Sequence, residues 1–190
     1  MIPSLATMLR PSGYAGRSRA SRVPTLSFHH RETISPPWTE VPSLSLGEGE
    51  AREHLLVAED GVPLRRLDLC RDGSETWFKV EAVAWDDLIV VGFAARVYLL
   101  RGATVACWFR LSDYFCGLHP GDGWLLIASG TNVTRMDQAG QVMWRSARLA
   151  IDGVIIERVA SGVVEGQGEW DPPGGWKAFR IRLADGKVAS

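Results

Sequence analysis

The chain has 190 residues and a mass of 20.9 kDa, a length that suits one domain or at most two small ones. Hydrophobic residues make up 46% and charged residues 23%, which excludes a collagen-like or wholly disordered protein. A net charge of −1 gives no long-range attraction to nucleic acid, and no apolar run reaches the roughly 18 residues of a membrane-spanning helix. Three cysteines without CxxC spacing favour a reducing compartment, so we expect a cytoplasmic protein.

Residues 1–37 differ in composition from the rest of the chain. They are rich in Arg, Ser and Pro and show neither helical nor alternating apolar periodicity. This predicts a disordered basic tail over residues 1–37, followed by a single all-β domain over residues 38–190. The composition is also that of an organellar transit peptide, but Pro3, Pro11 and Gly13 interrupt any amphipathic helix. We therefore prefer a plain tail, or a start codon placed too early.

From His54 onward, short apolar segments alternate with turn dipeptides such as Asp60-Gly61 and Asp122-Gly123. Glycine adopts the backbone conformations that tight hairpin turns need, so this pattern predicts an antiparallel meander of short strands. Residues 88–91 and 124–128 are continuously apolar, as in central strands covered on both faces. A helical turn is considered only for residues 111–118. The predicted strands are 54–58, 64–69, 76–84, 88–93, 96–101, 105–111, 124–129, 133–137, 141–144, 154–159, 163–169 and 176–183.

One spacing recurs within the meander. Gly73 precedes Trp77 by four residues, and Gly140 precedes Trp144 by the same step. This resembles the outer hairpin of quinoprotein-like β-propeller blades, in which an Asp, a turn Gly and a Trp recur. The resemblance implies a propeller-like fold with both indoles buried at equivalent positions. The chain is short for a closed propeller of four four-stranded blades, so we predict an incomplete or small propeller, with a β-sandwich as the alternative.

The last fifty residues contain the most distinctive strings of the sequence. They are Asp-Gly-Val at residues 152–154 and Gly-Glu-Trp-Asp-Pro-Pro-Gly-Gly-Trp at residues 168–176, followed by an alternating final strand. This region resembles a family of bacterial proteins that share a DGV…GEWDPPGGW signature. The family has no established activity, so the resemblance implies no catalytic residues.

The second string supplies the candidate binding residues Glu169, Trp170, Asp171 and Trp176. Two carboxylates beside two indoles on a loop are typical of a sugar-binding or glycosidase-like site. The same string is also a turn, because its prolines restrict the backbone and its glycines relax it. In that interpretation, which we prefer, Asp171 caps the turn with its side chain.

Other candidates for chemistry are weaker. The Asp86-Asp87 pair lacks the spacing of a calcium loop and predicts a solvated turn. Cys116 and His119 lack the flanking motif of a catalytic cysteine. The sequence contains no Gly-rich phosphate loop, HExxH or GxSxG motif. We therefore predict no catalytic residue, no metal site and no cofactor.

These observations favour a non-catalytic binding protein whose partner is another protein, either an antidote-type protein of bacteria or a scaffold. The alternative is a carbohydrate-binding or glycosidase-like module that uses Glu169, Trp170, Asp171 and Trp176. A third hypothesis is a structural subunit that completes its sheet with a second copy, so a monomer and a homodimer both stay open. We expect no nucleic-acid or membrane partner.

Overall fold

The computed structural model describes residues 25–71 and 79–189, which form fifteen β-strands in four sheets. These ranges contain no α-helix, and so none that could cross a membrane.

The strands are grouped into sheets in chain order. Sheet A contains β1 (Leu26–Arg31), β2 (Ser43–Leu46), β3 (Glu50–Glu59) and β4 (Val62–Arg71). Sheet B contains β5 (Val80–Trp85), β6 (Leu88–Phe93), β7 (Arg96–Arg101) and β8 (Thr104–Arg110). Sheet C contains β9 (Phe115–Gly121), β10 (Trp124–Ser129), β11 (Val133–Met136) and β12 (Val142–Arg145). Sheet D contains β13 (Val154–Ala160), β14 (Val163–Glu169) and β15 (Trp176–Arg182).

Sheets B, C and D are simple antiparallel meanders, in which each strand pairs with the next along the chain. Sheet A differs, because its order is β1-β3-β4-β2 and β2 lies parallel to β4 at the edge. The edge strands β1, β5, β9 and β13 contact one another in that order. They are called the inner strands below. The four sheets are therefore arranged in chain order around these inner strands.

The hydrophobic core consists of three clusters, each between two consecutive sheets. The first joins sheets A and B, the second joins B and C, and the third joins C and D. Strand β6 serves two of them, because Val91 faces the first cluster and Val90 the second, and both are fully buried. Among the described residues no buried cluster joins sheet D to sheet A. The sheets therefore form an open arc.

The outward face of sheet A is closed by a polar network beneath residues 32–42. The carboxylate of Asp68 accepts hydrogen bonds from Arg66 Nε and from the ring of His54, both at 2.7 Å. Arg66 also donates to the carbonyl oxygen of Trp38 at 3.1 Å. Trp38 and the 3% exposed Leu56 line one crevice on this face. The first sheet is therefore covered by its own chain.

The outward face of sheet D carries paired charges. The carboxylate of Glu165 lies between Arg158, at 2.5 Å, and Arg180, at 3.2 Å. Gln167 donates to Glu157 at 2.5 Å. Polar outer faces are what terminal units of repeat proteins need to end a stack in water. Charged and polar side chains thus lie on the outward faces of both terminal sheets, A and D.

The predicted domain boundary is wrong in part. Leu26–Arg31 was placed in the disordered tail, but it forms β1, which pairs antiparallel with β3 along its full length. Leu26 and Phe28 pack against the first cluster, and only this alternate pair of apolar residues marks the strand in the sequence. Residues 1–24 lie outside the described residues. The folded part therefore begins before residue 38.

The sequence does not predict two further strands, and one half of the predicted repeat lies outside the described residues. The segment considered for a helical turn contains the start of β9, and β2 was missed because it has only four residues. Trp144 lies on the outer strand β12 and is partly buried, with its indole N–H donating to the carbonyl of Leu183 at 3.0 Å. Trp77 lies outside the described residues. The predicted equivalence of Trp77 with Trp144 therefore stays a prediction.

We expect a variant that lacks residues 1–37 to lose about 2–4 kcal/mol of unfolding free energy, because the half-buried Leu26 and Phe28 of β1 are removed with it. A variant that lacks only residues 1–24 keeps β1 and provides the control. Urea unfolding of both proteins measures the difference. Equal midpoints for the two truncations would show that β1 does not contribute to stability.

The Asp68 network predicts a specific loss of stability in acid. Burial alone raises the pKa of Asp68, but the hydrogen bonds from Arg66 and His54 outweigh it and hold the pKa below its usual value. Such a group stabilises the fold above the unfolded pKa of about 3.9 and loses that contribution as the pH falls through the folded pKa.

We therefore expect Asp68→Asn to reduce the unfolding free energy by about 1–2 kcal/mol at neutral pH and by much less below about pH 3. Denaturant unfolding at both pH values measures the change. Asp171→Asn, at an exposed carboxylate, is the control. A constant difference between wild type and Asp68→Asn across the pH range would contradict the assignment.

Candidate functional site

The predicted loop is the hairpin that joins β14 to β15. Trp170 N–H donates to the carbonyl of Gly175, and Gly175 N–H donates to that of Asp171, both at 2.9 Å. Gly174 has φ of +104°, a conformation that residues with a side chain rarely adopt. The string is thus a tight turn, and its glycines are required by the backbone.

Asp171 does not cap this turn, contrary to the sequence prediction. Its side chain is exposed and makes no hydrogen bond to the described residues. The carboxylate of Glu169 takes that role, because its Oε1 accepts from the backbone N–H of Gly174 at 2.6 Å. The sequence shows two acids near the turn but not which of them points back across it.

A cavity of about 420 Å³ lies beside the hairpin, where the inner strands β9 and β13 begin. The hairpin contributes Glu169 and Trp176 to it, and Lys79 reaches it from just before β5. The volume is in the usual range for a small-ligand site. The lining residues are Lys79, Tyr114, Phe115, Cys116, Asp152, Gly153, Val154, Ile155, Glu169 and Trp176.

The structure does not bring the four predicted site residues together in one cavity. Glu169 and Trp176 line the cavity, whereas Trp170 lines a separate crevice, where the ammonium of Lys177 lies 5.7 Å from its ring centre. Asp171 lines neither. The two carboxylates therefore do not converge, and the pair needed for glycosidase chemistry is not formed by Glu169 and Asp171.

The two distinctive strings of the C-terminal region meet at the cavity. Residues 152–154 provide one wall, and Glu169 and Trp176 provide another. The backbone links them, because Glu169 N–H donates to the carbonyl of Gly153 at 3.0 Å and Ile151 N–H donates to that of Glu169 at 2.8 Å. The two strings are separate in the sequence, but they line the same cavity.

Tyr114, Asp152 and Lys79 were missed as site residues. Tyr114 donates its hydroxyl proton to Asp152 Oδ1 at 2.8 Å. Burial, together with this bond and the nearby carboxylates, raises the pKa of Tyr114, so the phenol keeps its proton. Lys79 lies 2.9 Å from Glu81. Asp152 is part of the DGV string and could have been found there, but no local signal marks Tyr114.

Gly153 keeps the cavity open between the aromatic groups. A methyl group at this position would lie 3.4 Å from the Tyr114 hydroxyl oxygen and 3.6 Å from Cη2 of Trp176. Its φ of +119° also disfavours any other residue. A side chain at position 153 would therefore occupy part of the space between Tyr114 and Trp176.

The cavity contains no activated nucleophile. Burial raises the pKa of the Cys116 thiol, and burial lowers the pKa of His119. A β-bulge at Cys116 interrupts the pairing of β9 with β10, and within the described residues no hydrogen bond joins Cys116 to His119. Within residues 25–71 and 79–189, no group of three or more His, Cys, Asp or Glu side chains is arranged to hold a metal ion.

Solved structures with β-propeller architecture resemble this chain. The WD40 domain of Neurospora crassa Pan2 matches it with a TM-score of 0.50 and 10% identity, over 72% of this chain and 45% of that one. The computationally designed Ika4 protein matches with a TM-score of 0.48 and 15% identity, over 74% and 91%. Myxococcus xanthus glutaminyl cyclase matches with a TM-score of 0.38 and 15% identity, over 87% and 75%.

The chain spans less than half the length of the Pan2 domain, and at 10% identity the likeness shows the fold alone. It confirms the predicted all-β, propeller-like architecture, and the four successive sheets replace the β-sandwich alternative. No model of a protein family and no curated protein sequence matches the chain.

We expect Gly174→Ala to lower the unfolding free energy by about 1 kcal/mol, because alanine is strained at this positive φ. Glu169→Ala should cost a similar amount, about 1 kcal/mol, since it removes the acceptor for Gly174 N–H. Asp171→Ala, within the same turn, should change it by less than about 0.5 kcal/mol. Thermal unfolding of the three variants measures the order. A larger effect at Asp171 than at Glu169 would return the capping role to Asp171.

Proposed function

We propose that this protein is a non-catalytic binding module, and that the cavity beside the β14–β15 hairpin receives a group of its partner protein. The observation that carries the proposal is the cavity itself, in which residues in or next to sheets C and D place an indole, a phenol and two carboxylates around one space. Burial raises the pKa of both Tyr114 and Cys116, the hydroxyl and thiol groups of the described lining, which supports binding rather than nucleophilic catalysis.

The hairpin and the inner strands give the site a rigid frame. Glu169 is tied to the turn by its bond to Gly174, and Asp152 is tied to Tyr114, so two acidic groups are held in place before a ligand arrives. A prearranged site loses less conformational entropy on binding than a mobile one. The resemblance to bacterial proteins with the DGV…GEWDPPGGW signature supports the same proposal, because both parts of that signature line the cavity. An antidote-type or scaffold role in the cytoplasm is our proposed setting.

Carbohydrate binding is the second candidate, since Trp176 and Glu169 lie together at the cavity and an indole is a common platform for sugars. A titration with free monosaccharides, followed by tryptophan fluorescence, tests it. The signal should stay flat if the partner is a protein. A saturable change that Trp176→Phe removes and Trp170→Phe preserves would favour the sugar.

We expect the proteins captured from a cell lysate by the wild type to be lost when the bait is Trp176→Ala. Trp176 is 38% exposed, so its removal changes the cavity more than the core. Trp170→Ala is the matched control, because this indole belongs to the neighbouring crevice. Capture followed by mass spectrometry gives the comparison. Identical partners for all three baits would overturn a role for the cavity.

A further inference from the structure

The charges around the cavity do not balance. Lys79, Asp152 and Glu169 are its charged lining residues, and Lys79 is already paired with Glu81 at 2.9 Å. The two remaining carboxylates have no cationic partner among the described residues. An uncompensated pair of carboxylates at the wall of a partly desolvated cavity favours a positively charged ligand.

Each of these carboxylates also keeps one oxygen available. Asp152 uses Oδ1 to accept from Tyr114, and Glu169 uses Oε1 to accept from Gly174. Asp152 Oδ2 and Glu169 Oε2 accept no hydrogen bond within the described ranges. Both residues contribute to the cavity, so a ligand that donates hydrogen bonds finds acceptors already in place.

The aromatic wall adds a second attraction for a cation. Trp176 is partly exposed, and Gly153 places no side chain between its ring and the Tyr114 hydroxyl. The face of an indole attracts ammonium and guanidinium groups through its quadrupole, more strongly than other aromatic rings do. Carboxylates and an indole around one space therefore favour an organic cation over a neutral or anionic group.

We propose that the cavity binds an organic cation, an ammonium or guanidinium group, between the carboxylates of Asp152 and Glu169 and the indole of Trp176. This inference rests on the proposed binding function and names the chemistry of the ligand. The cation comes either from a lysine or arginine side chain of the partner protein or from a free amine. A neutral sugar can donate hydroxyl groups to the same oxygens but leaves their negative charge uncompensated.

Calorimetric titration with defined probes tests the inference on the full chain. The probes are Nα-acetyl-lysine methylamide, its neutral analogue Nα-acetyl-norleucine methylamide, and methylammonium. We expect the lysine probe to bind at least about tenfold more tightly than the norleucine probe, a difference typical of one close charge pair. Binding of methylammonium as tight as that of the lysine probe would identify a free amine as the source, and tighter binding of the lysine probe would identify a side chain.

Asp152→Asn and Glu169→Gln keep the shape and one acceptor oxygen but remove one charge each. Each should weaken the lysine probe about tenfold, since about 1.4 kcal/mol of attraction corresponds to that factor. Asp171→Asn, an exposed acid of the same hairpin that lies outside the cavity, should leave the affinity unchanged. Equal weakening by all three variants would show a general effect of net charge and would overturn the inference.

The outcomes separate the ligand class from the proposed function. Failure of every cation to bind, combined with loss of captured proteins in Trp176→Ala, would overturn the cation and keep the binding role. Saturable binding of glucose without binding of the lysine probe would overturn the cation in favour of the carbohydrate alternative. Unchanged protein capture by Trp176→Ala, with no probe bound, would overturn both.

Discussion

Apolar packing between consecutive sheets is the constraint on which the structure depends. Three clusters hold four sheets, so β6 and β10 must bury side chains on both faces while the terminal sheets bury only one. This explains why the central strands are continuously apolar and why polar groups appear on the outward faces of sheets A and D. A further apolar face on sheet A or sheet D would need a fifth sheet or a partner protein to cover it.

The open arc also determines where the candidate site lies. The connections that lead into the inner strands β9 and β13 bring Tyr114 and Asp152 together where these strands begin. The β14–β15 hairpin lies beside these strand starts and adds Glu169 and Trp176. Sheets C and D, together with Lys79 before β5, thus form a cavity that no single hairpin contains.

The loop between β14 and β15 shows how a structural and a functional role can share residues. Glu169 holds the turn through one oxygen and faces the cavity with the same side chain. Trp170, its neighbour, belongs to the other side of sheet D, because successive residues of a strand point to opposite faces. Glu169 and Trp170 are adjacent in the motif, but they therefore line different cavities.

The sequence by itself determined the all-β class and most strand positions, since these follow from short apolar runs and glycine turns, which are local. It identified Glu169 and Trp176 because their string is unusual. It did not determine β1, because Leu26 and Phe28 are recognised as strand residues only by their packing against the first cluster. Nor did it determine that Glu169, and not Asp171, accepts the hydrogen bond from the turn. Only the tertiary structure decided which distant residues share the cavity, because the contact between Tyr114 and Asp152 depends on how sheet D packs on sheet C rather than on any local pattern.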